Sequence, residues 1–198
     1  MMILYEYEKG LYVNLTNRCT CACTFCIRLG HDGVGTANSL WLDRDPSKEE
    51  VLAAFAEKDL SKYNEVVFCG YGEPTESLDV LIVAAQYIRS VSDIPIRLNT
   101  NGLGSLSNGK DVPKLLEGLI DVMSVSMNAP TEAEYLDVTN PCFGEGAFDA
   151  MLSFVRECKD LFPKVMVTAV DVITDDQAAR CQALADELGV PFRLREFS

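Results

Sequence analysis

The stretch Asn14-Leu-Thr-Asn-Arg-Cys-Thr-Cys-Ala-Cys-Thr-Phe-Cys-Ile-Arg28 decides how the rest of this chain is read. Within it, Cys19, Cys23 and Cys26 stand with three residues between the first two and two between the last two. Iron–sulfur clusters are held by thiolates, and clusters that only carry electrons usually take four. Three thiolates on one short loop can bind three irons of a cubane [4Fe–4S] cluster, because such intervals let the backbone wrap around its corners. The fourth iron then has no ligand from this run, which suggests a site for a small chelating ligand. Phe25 can lie beside the cluster. Two other readings stay open. Zinc would take four tetrahedral ligands, usually as two pairs; Cys21 could complete the set, although four thiolates within eight residues would be cramped. A disulfide framework would require an oxidising compartment, and nothing else in the sequence suggests secretion.

Outward from this loop, six apolar, β-rich runs alternate with helical patterns. The strands read as Leu11–Thr16, Glu65–Gly70, Ile96–Thr100, Asp121–Met127, Lys164–Ile173 and Pro191–Phe197. The helices read as Ser47–Lys58, Leu78–Ser90, Val112–Leu119, Ala147–Leu161 and Asp175–Leu188, with Leu29–Pro46 mainly loop. Alternating βα units imply a parallel sheet with right-handed crossovers. A closed eight-unit barrel typically needs about 250 residues. Six strands in 198 residues therefore predict an α/β fold, an open partial (β/α)6 TIM-like barrel in one domain spanning 1–198. The strands carry a polar row. Tyr12, Asn14 and Thr16 share one face of the first strand, Arg97, Asn99 and Asn101 of the third, and Ser124, Ser126 and Asn128 of the fourth. Parallel strands covered by helices are usually apolar on both faces. The polar row predicts a hydrated concave side that holds a ligand. Arg193 and Arg195 share a face of the last strand; inward they could meet a carboxylate or phosphate, outward they would deter edge pairing.

Composition narrows the function classes. The chain is 48% apolar and 24% charged, ordinary for a soluble α/β protein. No apolar run approaches a membrane span, and the N-terminus lacks a signal-peptide pattern. A cytoplasmic protein is expected. The net charge of −13 makes nucleic acid an improbable partner. Cys69, Cys142, Cys158 and Cys181 are scattered and default to buried thiols. His31 is the only His, so any Ser-His-Asp arrangement would have to use it.

A second motif, Cys69-Gly-Tyr-Gly-Glu-Pro-Thr75, ends the second strand. Ligands of parallel α/β sheets bind at the carboxyl ends of strands. Gly70 and Gly72 let backbone approach a ligand closely, Pro74 fixes the turn, and Glu73 is an acceptor for an ammonium group. Asn99-Thr-Asn-Gly102 ends the third strand and Ser126-Met-Asn128 the fourth.

With both motifs in view, the loop resembles the Cys-x3-Cys-x-aromatic-Cys signature of the radical S-adenosylmethionine (SAM) enzymes. Gly72-Glu73-Pro74 resembles that family's Gly-Gly-Glu-Pro motif, with Tyr71 departing from the expected first Gly. The resemblance covers essentially the whole chain. It implies a [4Fe–4S] cluster on Cys19, Cys23 and Cys26, with Cys21 a bystander, and SAM chelating the open iron. Gly70, Gly72, Glu73 and Pro74 would hold the amino end of SAM. Asn99 and Asn101 belong to a turn like that of the glycyl-radical activating branch, and Ser126 and Asn128 would bond the ribose diol. Thr168 and Val170 would lie near the adenine. The implied reaction is reductive cleavage of SAM to a 5′-deoxyadenosyl radical that abstracts hydrogen from an unidentified substrate. An electron donor such as flavodoxin or ferredoxin would be needed, and a large substrate or a homodimer partner would cover the open side. The compact length and the opening Leu11–Arg18 look most like the TatD-associated radical SAM proteins. Two alternatives remain: an activating protein for a glycyl-radical enzyme, and a non-catalytic iron–sulfur or zinc protein.

Overall fold

A computed structural model describes residues 1–196. Seven strands form one sheet in sequence order: β1 (Leu4–Tyr7), β2 (Gly10–Val13), β3 (Glu65–Phe68), β4 (Ile96–Thr100), β5 (Val122–Ser126), β6 (Lys164–Val170) and β7 (Phe192–Arg195). From β2 to β7 every pairing is parallel. The first and last strands are not paired with each other, so the barrel stays open. The helices are α1 (Lys48–Ala56), α2 (Leu78–Val91), α3 (Gly104–Asn108), α4 (Val112–Leu116), α5 (Glu132–Thr139), α6 (Ala147–Leu161) and α7 (Asp175–Leu188). The expected end of the last strand at Phe197 lies outside the described residues.

The reading of six parallel strands holds, with one addition. β1 pairs antiparallel with β2 through a two-residue turn, in which Glu8 takes a left-handed φ of 51°. Its outer edge is covered by the loop that follows the cysteines: Thr36 N donates to the Glu6 carbonyl and Glu6 N donates to Thr36 Oγ1, both at 2.9 Å. That cover removes an edge open to another strand.

Two helices start where their sequences dictate. Ser47 and Glu50 form a capping box before α1, and Thr174 and Gln177 do the same before α7. The helices bury the outer face of the sheet. Leu11, Val13, Val66, Phe68, Leu98 and Val125 pack with residues of α1, α2, α6 and α7, and the cluster is closed to solvent. The opposite face carries the polar row, but it is deeper than a hydrated surface. Asn14, Thr16, Ser124 and Thr168 are buried. Asn14 is consumed by structure: its Nδ2 donates to the Leu40 carbonyl at 2.7 Å, and its Oδ1 accepts from Tyr71 N at 3.4 Å. Asn17 does the same one step on, exchanging two hydrogen bonds with Leu42. The two asparagines strap the 30–46 segment across the strand ends.

Candidate active site

The cysteine loop leaves the carboxyl end of β2, where parallel α/β sheets hold their ligands. Cys19, Cys23 and Cys26 are half-buried, whereas Cys21 is buried against the core. The loop is clasped by chain far away in sequence. Ala22 N donates to the Thr139 carbonyl at 3.0 Å, Thr24 N to the Val138 carbonyl at 3.0 Å, and Cys142 N to the Thr20 carbonyl at 2.8 Å. Cys21 and Pro141 form an isolated bridge. These partners sit on the end of α5 and the turn after it, where Asn140 is left-handed. Tyr135, on the same helix, is fully buried beneath the loop, with its hydroxyl beside Cys21, Cys23 and Thr139. It packs under the loop rather than reaching an open site.

Two of the thiols are shifted by their surroundings. The hydrogen bond from Cys21, together with burial, pushes the Cys19 thiol up. For Cys21 the bond with Cys19 favours the thiolate, but the contact with Cys23 and burial outweigh it and push that thiol up to about 12. Asn101 Nδ2 donates to Thr20 Oγ1 at 2.9 Å and points at Cys21 Sγ (3.6 Å) and Cys19 Sγ (3.9 Å). Amide donors of this kind tune the charge on cluster sulfurs. Among the described residues no group of three or more His, Cys, Asp or Glu side chains could hold a single metal ion.

The second motif lies against the first. Glu73 N donates to the Arg18 carbonyl at 2.8 Å. A Cβ on Gly72 would fall 2.3 Å from the Thr16 carbonyl oxygen and 2.5 Å from that of Arg18, and one on Gly70 would fall 2.1 Å from Asn14 Oδ1. Within the chain, these glycines permit close approach to the stem of the cysteine loop. Tyr71 adopts an ordinary negative φ, so its place in the motif needs no glycine. It is buried, donates its hydroxyl to the His31 carbonyl, and meets the Trp41 ring edge-on at 5.2 Å. The residue that departs from the motif thus pins the loop after the cysteines, while His31 itself is exposed.

Glu73 is buried and almost saturated. Its Oε1 accepts from Thr75 N (3.1 Å), Thr75 Oγ1 (2.8 Å) and Thr100 Oγ1 (2.7 Å), and its Oε2 accepts from Asn101 N at 2.7 Å. Burial pushes its carboxyl up, and the four hydrogen bonds oppose that. Oε2 keeps capacity for one further donor. Pro74 follows at the first position of a short 3-10 turn.

The other candidates line the same end of the sheet. Asn99 and Ser126 are half-buried, and Asn128 is buried with a left-handed φ of 60°. The Oδ1 atoms of Asn99 and Asn128 are buried without a partner. A buried acceptor left unpaired is costly, and a ligand donor would satisfy it. Thr168 contributes its carbonyl to Met127 N and Asn128 N, so that oxygen is already engaged. Phe25 is half-buried on the cysteine loop. The role of the α5 clasp was missed by sequence reasoning, although Thr131 and Glu134 carry a helix-start signal.

Comparison with known proteins agrees with this geometry. Residues 13–184 match the family described as the radical SAM superfamily. Among curated proteins, no sequence matches the chain. Among solved structures, SuiB of Streptococcus suis bound to S-adenosylmethionine is similar with a TM-score of 0.67 at 15% identity, over 97% of this chain and 40% of that one. A radical SAM methyltransferase from Sphaerobacter thermophilus gives a TM-score of 0.60 at 16% identity, over 98% of this chain and 68% of that one. Methylornithine synthase (PylB) gives 0.60 at 12% identity, over 96% and 53%. The chain spans about 40% of the length of SuiB. At these identities the structural likeness speaks for the fold. Members of the matched superfamily use a [4Fe–4S] cluster and SAM, are generally enzymes, and need a reductant and a substrate. No helix among the described residues is long and apolar enough to cross a membrane. With the match running from the strand before the cysteine loop into the last long helix, the chain belongs to the radical SAM superfamily.

Proposed function

We propose that this chain is a radical SAM enzyme in which Cys19, Cys23 and Cys26 hold three irons of the cluster and the fourth iron takes SAM. The observation that carries the reading is the trio of half-buried thiols on a clasped loop, beside a strand-end cup with unpaired buried acceptors. When bound, the cluster and SAM supply a 5′-deoxyadenosyl radical for hydrogen abstraction from the substrate. The chain's own residues orient the pair and exclude water. Glu73 Oε2 and the backbone at Gly70, Gly72 and Pro74 would hold the SAM ammonium. Ser126 and the free Oδ1 of Asn128 would accept from the ribose hydroxyls, and Asn99 Oδ1 from a further donor. Asn101 would donate toward the Cys19 sulfur, and Phe25 would flank the cluster. Cys21, being buried in the core, would stay a neutral bystander.

The reductant would be a flavodoxin or ferredoxin type of carrier. A reducing, cytoplasmic setting suits eight free thiols and a thiolate-bound cluster. The open edge between β1 and β7 suits a large substrate or a second copy of the chain. The opening Leu11–Arg18 points within the superfamily to the TatD-associated proteins.

Anoxic reconstitution with iron and sulfide, reduction with dithionite and measurement of 5′-deoxyadenosine test the proposal. SAM-dependent formation of deoxyadenosine is expected. A full cluster with bound SAM and no deoxyadenosine would assign the protein a non-catalytic role.

A further inference from the structure

We infer that the concave face binds an anionic group of the substrate, a carboxylate or a phosphate, through Arg195 and Arg97. The inference rests on the radical SAM reading only in placing substrate on the concave face of the barrel.

Strand register settles where the last arginines point. Arg193 pairs with Thr168 and Arg195 with Val170, and Thr168 in turn pairs with Ser126. Both arginines therefore share the face of Ser126 and Asn99, while Phe192 and Leu194 share the helix-covered face. The outward, edge-protecting alternative is excluded by that register.

Arg195 is half-buried, and its Nε is wholly buried with no hydrogen-bond partner. Among the described residues it forms no ion pair. Arg97 on β4 donates from Nη2 to Glu65 at 2.8 Å and to Tyr12 OH at 3.3 Å, yet its own Nε is also buried and unpaired. Among the described residues, the groups that act most on Arg195 are Cys69, Arg193, Arg97 and Tyr12. None supplies an anion: burial pushes both the Cys69 thiol and the Tyr12 hydroxyl up, so both are neutral. Burial pushes the Arg195 guanidinium down, with Arg193 and Arg97 adding to the effect and Cys69 opposing it.

The chain carries 30 Asp and Glu residues against 17 Lys and Arg, so carboxylates are abundant. One of them, Glu65, reaches this face and serves Arg97. A guanidinium whose buried Nε–H has no partner among the described residues is costly in so acidic a protein. A planar fork with a free Nε–H matches two oxygens of a carboxylate or phosphate. Asn99 Oδ1, unpaired on the same face, can accept from a hydroxyl or ammonium near that anion.

SAM also carries a carboxylate, and the test separates the two sources. Cluster-loaded protein is kept anoxic and titrated with inorganic phosphate and with succinate, followed by NMR line broadening, with and without saturating SAM. One of the two probes is expected to bind at a single site with equal affinity in both conditions. Arg195→Gln should weaken that binding at least tenfold, and Arg195→Lys should recover part of it, since an ammonium keeps the charge but not the fork. Arg180→Gln, altered on α7 where Arg180 pairs with Glu134, should bind the probe as the wild type does. Binding of neither probe, equal binding by both Arg195 variants and wild type, or displacement of the probe by SAM overturns the inference. Repeating the titration before cluster loading keeps it separate from the cluster: a protein that never takes up iron but binds the probe through Arg195 would sink the radical SAM reading alone.

Discussion

Replacing Gly72 by Ala adds a single methyl group at the tightest seam of the site. The new carbon would lie 2.3 Å and 2.5 Å from the carbonyl oxygens of Thr16 and Arg18, both backbone atoms that cannot rotate away. The two segments must separate, and the 2.8 Å bond from Glu73 N to the Arg18 carbonyl is lost with them. Overpacking of this kind costs about 1–3 kcal/mol and a lost hydrogen bond about 1 kcal/mol more, so about 2–4 kcal/mol is expected. For a domain of this size that is a fall in Tm of roughly 5–15 °C. Arg18 directly precedes Cys19, so the displacement also carries the first thiol out of place. Iron and sulfide content after reconstitution should drop along with Tm. Gly30→Ala is the matched control: it lies in the same loop region with nothing within 4 Å of the added carbon. Gly72→Ala with Tm within a degree of the control and a full complement of iron would refute the steric argument.

Three further outcomes are expected. Cys21→Ala should retain iron and sulfide after reconstitution, while Cys19→Ala, Cys23→Ala and Cys26→Ala should each lose them; cluster loss in the Cys21 variant would make that thiol a ligand. Tyr135→Phe removes a buried hydroxyl that makes no well-formed hydrogen bond and should change the unfolding free energy measured in urea by less than about 1 kcal/mol, whereas Tyr135→Ala empties a fully buried position and should cost about 3–5 kcal/mol. Glu134 on α5 is held down from an ordinary 4.5 to about 2, first by its hydrogen bonds to Arg180 on α7 and then by Thr131. Its folded value is depressed, so the stability it contributes is present above the unfolded value and is lost as pH falls through the folded one. Melting curves of Glu134→Gln should therefore lie below wild type at about pH 6 and converge with it as pH is lowered toward about 2; a constant gap across that range would remove the ion pair as the cause.

Where local chemistry determines an element, its limits were readable. The strand Ile96–Thr100 and the helices Ala147–Leu161 and Asp175–Leu188 occur with the boundaries the sequence suggests. The last two carry long apolar stripes or a capping box, signals that need no knowledge of the rest of the chain. β1 was not legible because Leu4–Tyr7 is four residues long and owes its existence to pairing with β2 and to the loop around Thr36. α5 was passed over because only Tyr135 and Thr139 of its eight residues are buried, too few to make a stripe, although Thr131 caps Glu134. At the site, the identities of the cysteines and of Gly72-Glu73-Pro74 were plain. What the glycines face was not: Gly70 and Gly72 abut Asn14, Thr16 and Arg18, contacts between two strand ends that only the parallel register of β2 and β3 creates. The inward direction of Arg195 was equally hidden, since alternation along one strand gives two faces but not which of them the helices cover.

The stitching of Thr24 to Val138 joins positions 114 residues apart. During synthesis the cysteines leave the ribosome well before the strap that shapes their loop, which is made 114 residues later. A nascent chain exposing Cys19 to Cys26 would present loose thiols with no defined wrap, open to oxidation or to whatever metal arrives first. Maturation is therefore ordered by the fold itself: iron and sulfide are best delivered after the segment around Val138 has emerged and docked on the cysteine loop.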